Sequence, residues 1–225
     1  MDEKAIKEYI DLQPIKVVSK IDFNERKIEY DKIVQYQHPS ELKPEELCRA
    51  YLLTKLVNEL AYSPERIEIE REYTAGRPHT NTSRADVIVR DAKGDAFLFF
   101  EIKSQDAYAN DDKDVDIEEQ LFKVAGMERT EGRNVKYLIL YTTNDTSGII
   151  NDECMIIDCE KFSSFAVWAE DRNYTNTIPA RYGKAQKKPY IKASSKDLET
   201  HFTNERLNQL RLDLHKVLWG GGGTD

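Results

Sequence analysis

Ser83-Arg84-Ala85-Asp86-Val87-Ile88-Val89-Arg90, followed by Phe97-Leu98-Phe99-Phe100-Glu101-Ile102-Lys103-Ser104, is the stretch that decides the fold. Both runs are rich in β-branched and aromatic residues, which suit strands. Between them, Ala92-Lys93-Gly94-Asp95 carries a hairpin signal. A two-residue turn at Lys93-Gly94 sets Asp86 directly opposite Glu101. Opposed residues in an antiparallel ladder share a face, with Cβ atoms about 4.5–5.5 Å apart. Lys103, two residues beyond Glu101, points to that face as well. A turn one residue longer would carry Asp86 to the other face.

Reading outward, residues 44–62 form a helix. Pro44 suits the first helical position, and Glu45 and Glu46 suit the positive end of the helix dipole. Leu53, Leu56, Val57 and Leu60 recur at helical spacing and give one buried stripe, which Ser63-Pro64 ends. Arg66 to Tyr73 alternates, placing Ile67 and Ile69 on one face and Glu68, Glu70 and Glu72 on the other. Thr74 to Ser83 reads as a loop, and Ser104 to Asp116 as a polar, acidic one. A helix over 117–128 follows, with Asp116 as its cap. Val135 to Thr142 is apolar enough for the centre of a sheet. Cys154 to Asp158 reads as a short strand, and Lys161 to Glu170 as a helix carrying Phe162, Phe165 and Trp168. Residues 1–43 yield only two short strand candidates, Ile15 to Val18 and Lys27 to Tyr30. From residue 44 the order is helix, three strands, helix, strand, which gives an α/β class with a mixed central sheet flanked by helices.

Two carboxylates set as close as Asp86 and Glu101 repel, and one takes up a proton unless a cation lies between them. Such hard oxygen ligands suit Mg²⁺, which takes one or two protein carboxylates and completes its shell with waters and phosphate oxygens. The metal lowers the pKa of a bound water and neutralises charge developing on a phosphate. A lysine beside it can hold the attacking water. The plainer reading of these three residues is a cross-strand salt bridge on a solvated face. Their flanks, Val87-Ile88-Val89 and Phe97-Leu98-Phe99-Phe100, oppose it, because an acid inside so apolar a strand is costly without a partner or a task.

Asp86 followed after the hairpin by Glu101-Ile102-Lys103 resembles the PD-(D/E)xK nuclease superfamily. Pro44-Glu45-Glu46-Leu47-Cys48-Arg49, Arg84-Ala85-Asp86 and Phe100-Glu101-Ile102-Lys103-Ser104 are similar, more closely, to the N-terminal nuclease domain of restriction-modification enzymes of the type I R-subunit kind. The resemblance covers roughly residues 40–145 and implies a restriction-endonuclease-like αβββαβ core. It implies that Asp86, Glu101 and the backbone carbonyl of Ile102 ligate Mg²⁺, for which Mn²⁺ can substitute, and that Lys103 orients the nucleophilic water. It gives Glu46, with Glu45 as second choice, a further metal or its water, and Gln120 a contact with the scissile phosphate or the water. Val124 stands where the family often has Tyr after that Gln, so this motif is half present. Ala85 replaces the Pro that names the superfamily. The stretch 210–220 is similar to the segment leading into an adenine methyltransferase module in fused restriction-modification polypeptides.

Composition bounds the partners. The 225 residues carry a formal net charge of −8, which opposes binding to phosphates over the surface as a whole. Basic residues concentrate instead in Arg172, Arg181, Lys184, Lys187, Lys188 and Lys192, a segment without acids, while carboxylates crowd Asp106 to Glu119. Arg84, Lys184, Lys187 and Lys188 are the candidate DNA contacts, and Tyr174, Tyr182 and Tyr190 could pack on DNA; a solvated linker is the competing reading of that segment. No apolar run is long enough for a membrane span. Three cysteines without C-x-x-C spacing read as reduced thiols of a cytoplasmic protein. The four histidines lack zinc-ligand spacing. The expected organisation is an extension over 1–43, a nuclease core over 44–170, a basic linker over 171–195, and a helix over 196–219 running into Gly220-Gly221-Gly222-Gly223, the start of a linker to a missing module. The function expected is hydrolysis of DNA phosphodiester bonds as the restriction part of a restriction-modification protein. Methyltransferase and specificity modules would lie in the same or another chain. The alternative is a nuclease-fold module that binds DNA or a partner without cutting.

Overall fold

A computed structural model describes residues 2–34, 40–75, 81–146, 149–185 and 211. Helix α1 (Glu3–Leu12) leads into a small antiparallel sheet of β1 (Val18–Asp22), β2 (Lys27–Tyr30) and β3 (Ser40–Glu41). Helix α2 (Pro44–Asn58) precedes a five-stranded sheet made of β4 (Ile67–Ala75), β5 (Asn81–Arg90), β6 (Ala96–Ile102), β7 (Val135–Thr146) and β8 (Ile149–Asp158), hydrogen-bonded in that order. Only β6 and β7 are parallel, so the sheet is mixed and the fold is the expected α/β class. A parallel pair needs a crossover. Here it consists of α3 (Gln105–Asn110), α4 (Lys113–Val115), a π-helical turn over Asp116–Phe122 and α5 (Lys123–Thr130). Helix α6 (Phe165–Asp171) follows β8 and buries Trp168 against the crossover side.

The periodicity of α2 predicts one buried stripe. Instead, nearly every residue from Glu46 to Val57 is buried. The cause is the N-terminal layer: Ile6, Ile10, Val17, Val18, Ile28 and Tyr30 pack into the same core as α2 and the sheet. Residues 3–34 thus cover the face of α2 that a bare core would leave wet. The sequence reading missed the ten-residue α1 and placed the first strand too early, since β1 shares only Val18 with the candidate Ile15 to Val18; alternation over four or five residues is a weak signal.

The hairpin turn is one residue longer than the two-residue reading. Asp91 N–H donates to Asp95 O at 2.9 Å, enclosing Ala92, Lys93 and Gly94, and Gly94 takes the left-handed conformation that such a turn requires (φ 87°). A bulge then absorbs the extra residue: Arg90 lies opposite Ala96, yet Val89 lies opposite Leu98 and Val87 opposite Phe100. Continued by one position, that register brings Asp86 beside Glu101, the juxtaposition expected from the shorter turn.

β4 does not keep the simple alternation read for it. Its ladder with β5 pairs Ile69 with Val87 and Arg71 with Ala85, while Glu70, between them, has φ 52°. Below this point Ile67, Ile69, Val87 and Val89 face the α2 core; above it Tyr73 and Ala85 face the crossover helices. A regular strand would keep these odd-numbered residues on one side. The twist sends Glu68 and Glu70 to opposite faces of the sheet, and Asp86 sits at it.

Two further elements differ from the sequence reading. The expected loop over 104–116 contains α3, capped by Ser104. Asp112, not Asp116, caps the helix that follows, accepting from the N–H of Asp114 at 3.0 Å. Residues 172–185 are also no solvated linker. Thr175 bridges Ile156, Ile178 is buried, and Tyr182 packs its ring on Tyr62 and Phe97 while its hydroxyl donates to Arg90 O at 2.7 Å. The helix expected over 196–219 lies outside the described residues except for Arg211, which is helical. No helix among the described residues is long and apolar enough to cross a membrane.

Candidate active site

The candidate residues gather where β5 and β6 separate. Ile102 N–H, at the end of β6, donates to Asp86 Oδ2 at 2.7 Å, so the Asp86 carboxylate replaces a strand partner. Asp86 Oδ1 accepts from Arg49 Nη2 at 3.0 Å. One acceptor site on each oxygen is thereby used, and an ionised carboxylate has about four. Glu101, on the neighbouring strand, accepts from Lys103 Nζ at 2.9 Å, and the same ammonium reaches Asp116 Oδ1 at 2.9 Å. Asp86 and Glu101 are 7 % and 8 % exposed, so neither is a solvated surface acid.

Two residues of this cluster are functional candidates that the sequence reading did not select. Asp116, read there as a cap, is a buried carboxylate on the first residue of the π-helical turn, facing Lys103. Glu70, read as one of three solvent-facing glutamates, turns inward at the strand twist and accepts from Arg49 Nη1 at 3.0 Å. The signals were slight: an acid between Val115 and Ile117, and a third glutamate in an alternating run. π turns and non-glycine residues with positive φ both concentrate at functional sites.

Arg49, quoted for its motif alone, is the hub on the α2 side. It is 2 % exposed and meets Glu46 Oε2 at 2.5 Å as well as Glu70 and Asp86. Glu46 also accepts from the buried hydroxyl of Tyr30. Among the described residues, Arg49 Nε and Asp116 Oδ2 are buried without a hydrogen-bond partner. Glu45 is exposed on the first turn of α2, and desolvation, then the charge of Asp86, raises its carboxyl pKa. Gln120 is exposed on the π-helical turn. A cleft of about 330 Å³ opens beside the cluster, lined by Lys43, Glu45, Glu46, Arg49, Glu70 and Arg84. A larger one, about 640 Å³, lies at the hairpin-turn end of the sheet, away from the carboxylates. Chemistry rather than volume identifies the site. Lys184 is exposed and Arg84 half-exposed, whereas Lys187 and Lys188 lie outside the described residues. Arg172 is occupied by Asp114.

The cluster holds five carboxylates, Glu46, Glu70, Asp86, Glu101 and Asp116, against two buried cations, Arg49 and Lys103, and the more exposed Arg84, 3.5 Å from Glu70. Its titration reflects burial first and the imbalance of charge second. Burial, then the charge of Asp86, pushes the Glu101 carboxyl up to about 8 against the pull of Lys103. Burial also raises Glu46, with Arg49 opposing it. Burial alone would lower the Lys103 ammonium, yet Glu101 and Asp116 carry its pKa upward, so it stays charged. The donor set fits a hard divalent cation: Asp86 and Glu101 present carboxylate oxygens, and Mg²⁺ takes one or two such groups with waters in its other positions. Among the described residues no cluster of three His, Cys, Asp or Glu side chains is arranged to hold a metal. A cation held by the carboxylate pair would take its remaining ligands from water, backbone or substrate.

Residues 44–151, just under half of the chain, match the family described as the type I restriction enzyme R protein N terminus. The matched segment contains α2, the whole hairpin, the crossover helices and β7, and with them Arg49, Asp86, Glu101, Lys103 and Asp116. The chain is thus similar to a restriction enzyme in the region that carries its buried charge cluster. No curated protein matches the sequence.

Proposed function

We propose that this chain is the DNA-cutting domain of a restriction system, a Mg²⁺-dependent endonuclease that hydrolyses phosphodiester bonds at Asp86, Glu101 and Lys103. The observation that carries the reading is the buried juxtaposition of Asp86 with Glu101 beside Lys103, in a cluster where carboxylates outnumber cations and within the segment similar to a restriction enzyme R protein. The two carboxylates, with the Ile102 carbonyl on the strand edge that also presents its N–H to Asp86, would hold Mg²⁺. When bound, the metal supplies a water of lowered pKa and neutralises charge on the phosphate. Lys103, kept charged by Glu101 and Asp116, would orient the attacking water and offset charge on the phosphate. Gln120 stands on the open side of the π-helical turn, where it can meet the scissile strand. Glu46 acts through Arg49, and any direct metal contact would require its release from Tyr30 and Arg49. Arg84, Lys184, Lys187 and Lys188 would touch the DNA backbone, which carries no sequence information. Sequence recognition and methylation then belong to other modules.

The test is Mg²⁺ or Mn²⁺ binding by calorimetry on the wild-type chain and on Asp86→Ala, with plasmid cleavage scored in the same buffers. Binding that vanishes in Asp86→Ala, together with cleavage, supports the enzyme. Binding without cleavage favours the second reading, a nuclease-fold module that depends on its partners to engage DNA, which the net charge of −8 also favours. Binding that is absent, or unchanged in Asp86→Ala, leaves the carboxylates as a structural ion cluster.

A further inference from the structure

The candidate site has a support outside the segment that is similar to restriction enzymes. Tyr30 ends β2, opposite Val18 on β1, and is 3 % exposed. Its hydroxyl donates to Glu46 Oε1. Glu46 Oε2 accepts from Arg49 Nη1 at 2.5 Å, and Arg49 Nη2 donates to Asp86 Oδ1 at 3.0 Å. Tyr30, Glu46, Arg49 and Asp86 form one unbroken buried chain of contacts. With both oxygens engaged, the Glu46 carboxylate has a single orientation. The guanidinium is a rigid planar fork, so Glu46 and Glu70 on Nη1 fix where Nη2 points. It points at Asp86, whose other oxygen is held by Ile102 N–H.

We propose that Tyr30 is a positioning residue for the metal-binding carboxylates: through Glu46 and Arg49 it holds Asp86 at the angle that faces Glu101. This rests on the reading of Asp86 and Glu101 as a Mg²⁺ site. It makes the N-terminal sheet, which lies before residue 44, a working part of the centre rather than a cover for α2. Tyr73 provides an internal control, because its hydroxyl makes the same kind of buried bond to Glu128, away from Asp86.

The experiment titrates Mg²⁺ alone into the full chain by calorimetry, comparing wild type, Tyr30→Phe, Tyr73→Phe and Asp86→Ala below the melting temperature of each in EDTA. Tyr30→Phe removes one hydroxyl and keeps the ring. It is expected to bind Mg²⁺ about tenfold more weakly, the loss usual when a partner behind a metal ligand is removed. Plasmid cleavage by that variant should return towards the wild-type rate at saturating Mg²⁺. Tyr73→Phe should melt earlier and bind Mg²⁺ as wild type does. If Tyr30→Phe melts earlier with Mg²⁺ affinity unchanged, its role is structural and the proposal is overturned. If Asp86→Ala loses binding while Tyr30→Phe keeps it, the relay alone fails. If wild type binds no Mg²⁺, or Asp86→Ala binds as well as wild type, the metal-site reading fails and takes the relay with it.

Discussion

Two buried arginines on opposite sides of the central sheet are built from the same parts and end in opposite electrostatic states. Arg49 on α2 meets Glu46, Glu70 and Asp86; Arg90, at the end of β5, meets Glu68 at 2.7 Å, Glu128 and the Gly94 carbonyl at 3.2 Å. A buried tyrosine serves each cluster, Tyr30 on Glu46 and Tyr73 on Glu128. Arg133 also reaches Glu128, at 3.6 Å, so around Arg90 two cations face the two carboxylates and the charges balance. Burial works to raise the Glu128 carboxyl, but Arg90 and Tyr73 outweigh it and hold its pKa below the usual range. Around Arg49 and Lys103 the carboxylates outnumber the cations, so burial, unopposed by enough positive charge, pushes both Glu46 and Glu101 up. A balanced buried cluster fastens α5 to the strands. An unbalanced one is a cost to the fold that a bound cation would relieve.

The sharpest way to break this contrast is to exchange readouts between the clusters. Asp86→Asn is expected to lower plasmid cleavage by about three orders of magnitude, roughly 4 kcal/mol of transition-state stabilisation. Arg49 keeps Glu46 and Glu70 in that variant, so its melting temperature should move little. Arg90→Met is expected to do the reverse. Stranding Glu128 without its main partner should cost about 3–5 kcal/mol of stability in denaturant titration. Cleavage per folded molecule should stay close to wild type. A loss of stability in Asp86→Asn comparable to that of Arg90→Met would erase the distinction.

The two clusters also predict opposite slopes of stability with pH. The folded Glu101 carboxyl titrates at about 8 against 4.5 in the unfolded chain. Between these values the folded state binds a proton that the unfolded state lacks, so stability in EDTA should fall as pH rises from about 4.5 to 8. Glu101→Gln should flatten that fall, and Mg²⁺ should offset it by binding the folded state. Glu128 has a lowered folded pKa, so its contribution is present above 4.5 and is lost as pH drops below it. Glu128→Gln should flatten only that acid limb. A wild-type curve without any fall between pH 5 and 8 would remove the imbalance argued for Glu101.

The strands and their partners were legible because β5 and β6 carry nearly continuous apolar runs, whose register a hairpin constrains. The juxtaposition of Asp86 and Glu101 was legible for a less direct reason. The turn holds one residue more than its dipeptide signal suggests, and the bulge between Val89 and Arg90 restores the register. Neither can be read from Lys93-Gly94 alone. What escaped was the part that depends on departures from regular structure. Glu70 reaches Arg49 only because its backbone adopts φ 52°, and Asp116 reaches Lys103 because the helix starts at Asp112 and passes through a π turn. Tyr30 escaped because its link to Glu46 spans sixteen residues and joins two layers, a tertiary contact that no local pattern encodes.

The smallest expected effect tests whether the contrast extends to the surface. Arg84 is half-exposed and touches Glu70, within the Arg49 cluster; Arg71 is similarly placed but pairs with Glu131 at 3.0 Å, near the Arg90 cluster. If DNA passes over the unbalanced side, Arg84 meets a phosphate and Arg71 does not. Arg84→Ala should then weaken binding of the catalytically silent Asp86→Asn protein to duplex DNA. The slope of log affinity against log salt should fall by about 1, the signature of one lost phosphate contact. Arg71→Ala should leave that slope unchanged. The measurement needs only fluorescence anisotropy at several salt concentrations, with Mg²⁺ present. Equal slopes for the two variants would place the DNA elsewhere and leave Lys184 and its neighbours as the backbone contacts. A reduced slope for Arg71→Ala alone would put the DNA on the Arg90 side, where the charges balance, and break the link between imbalance and function.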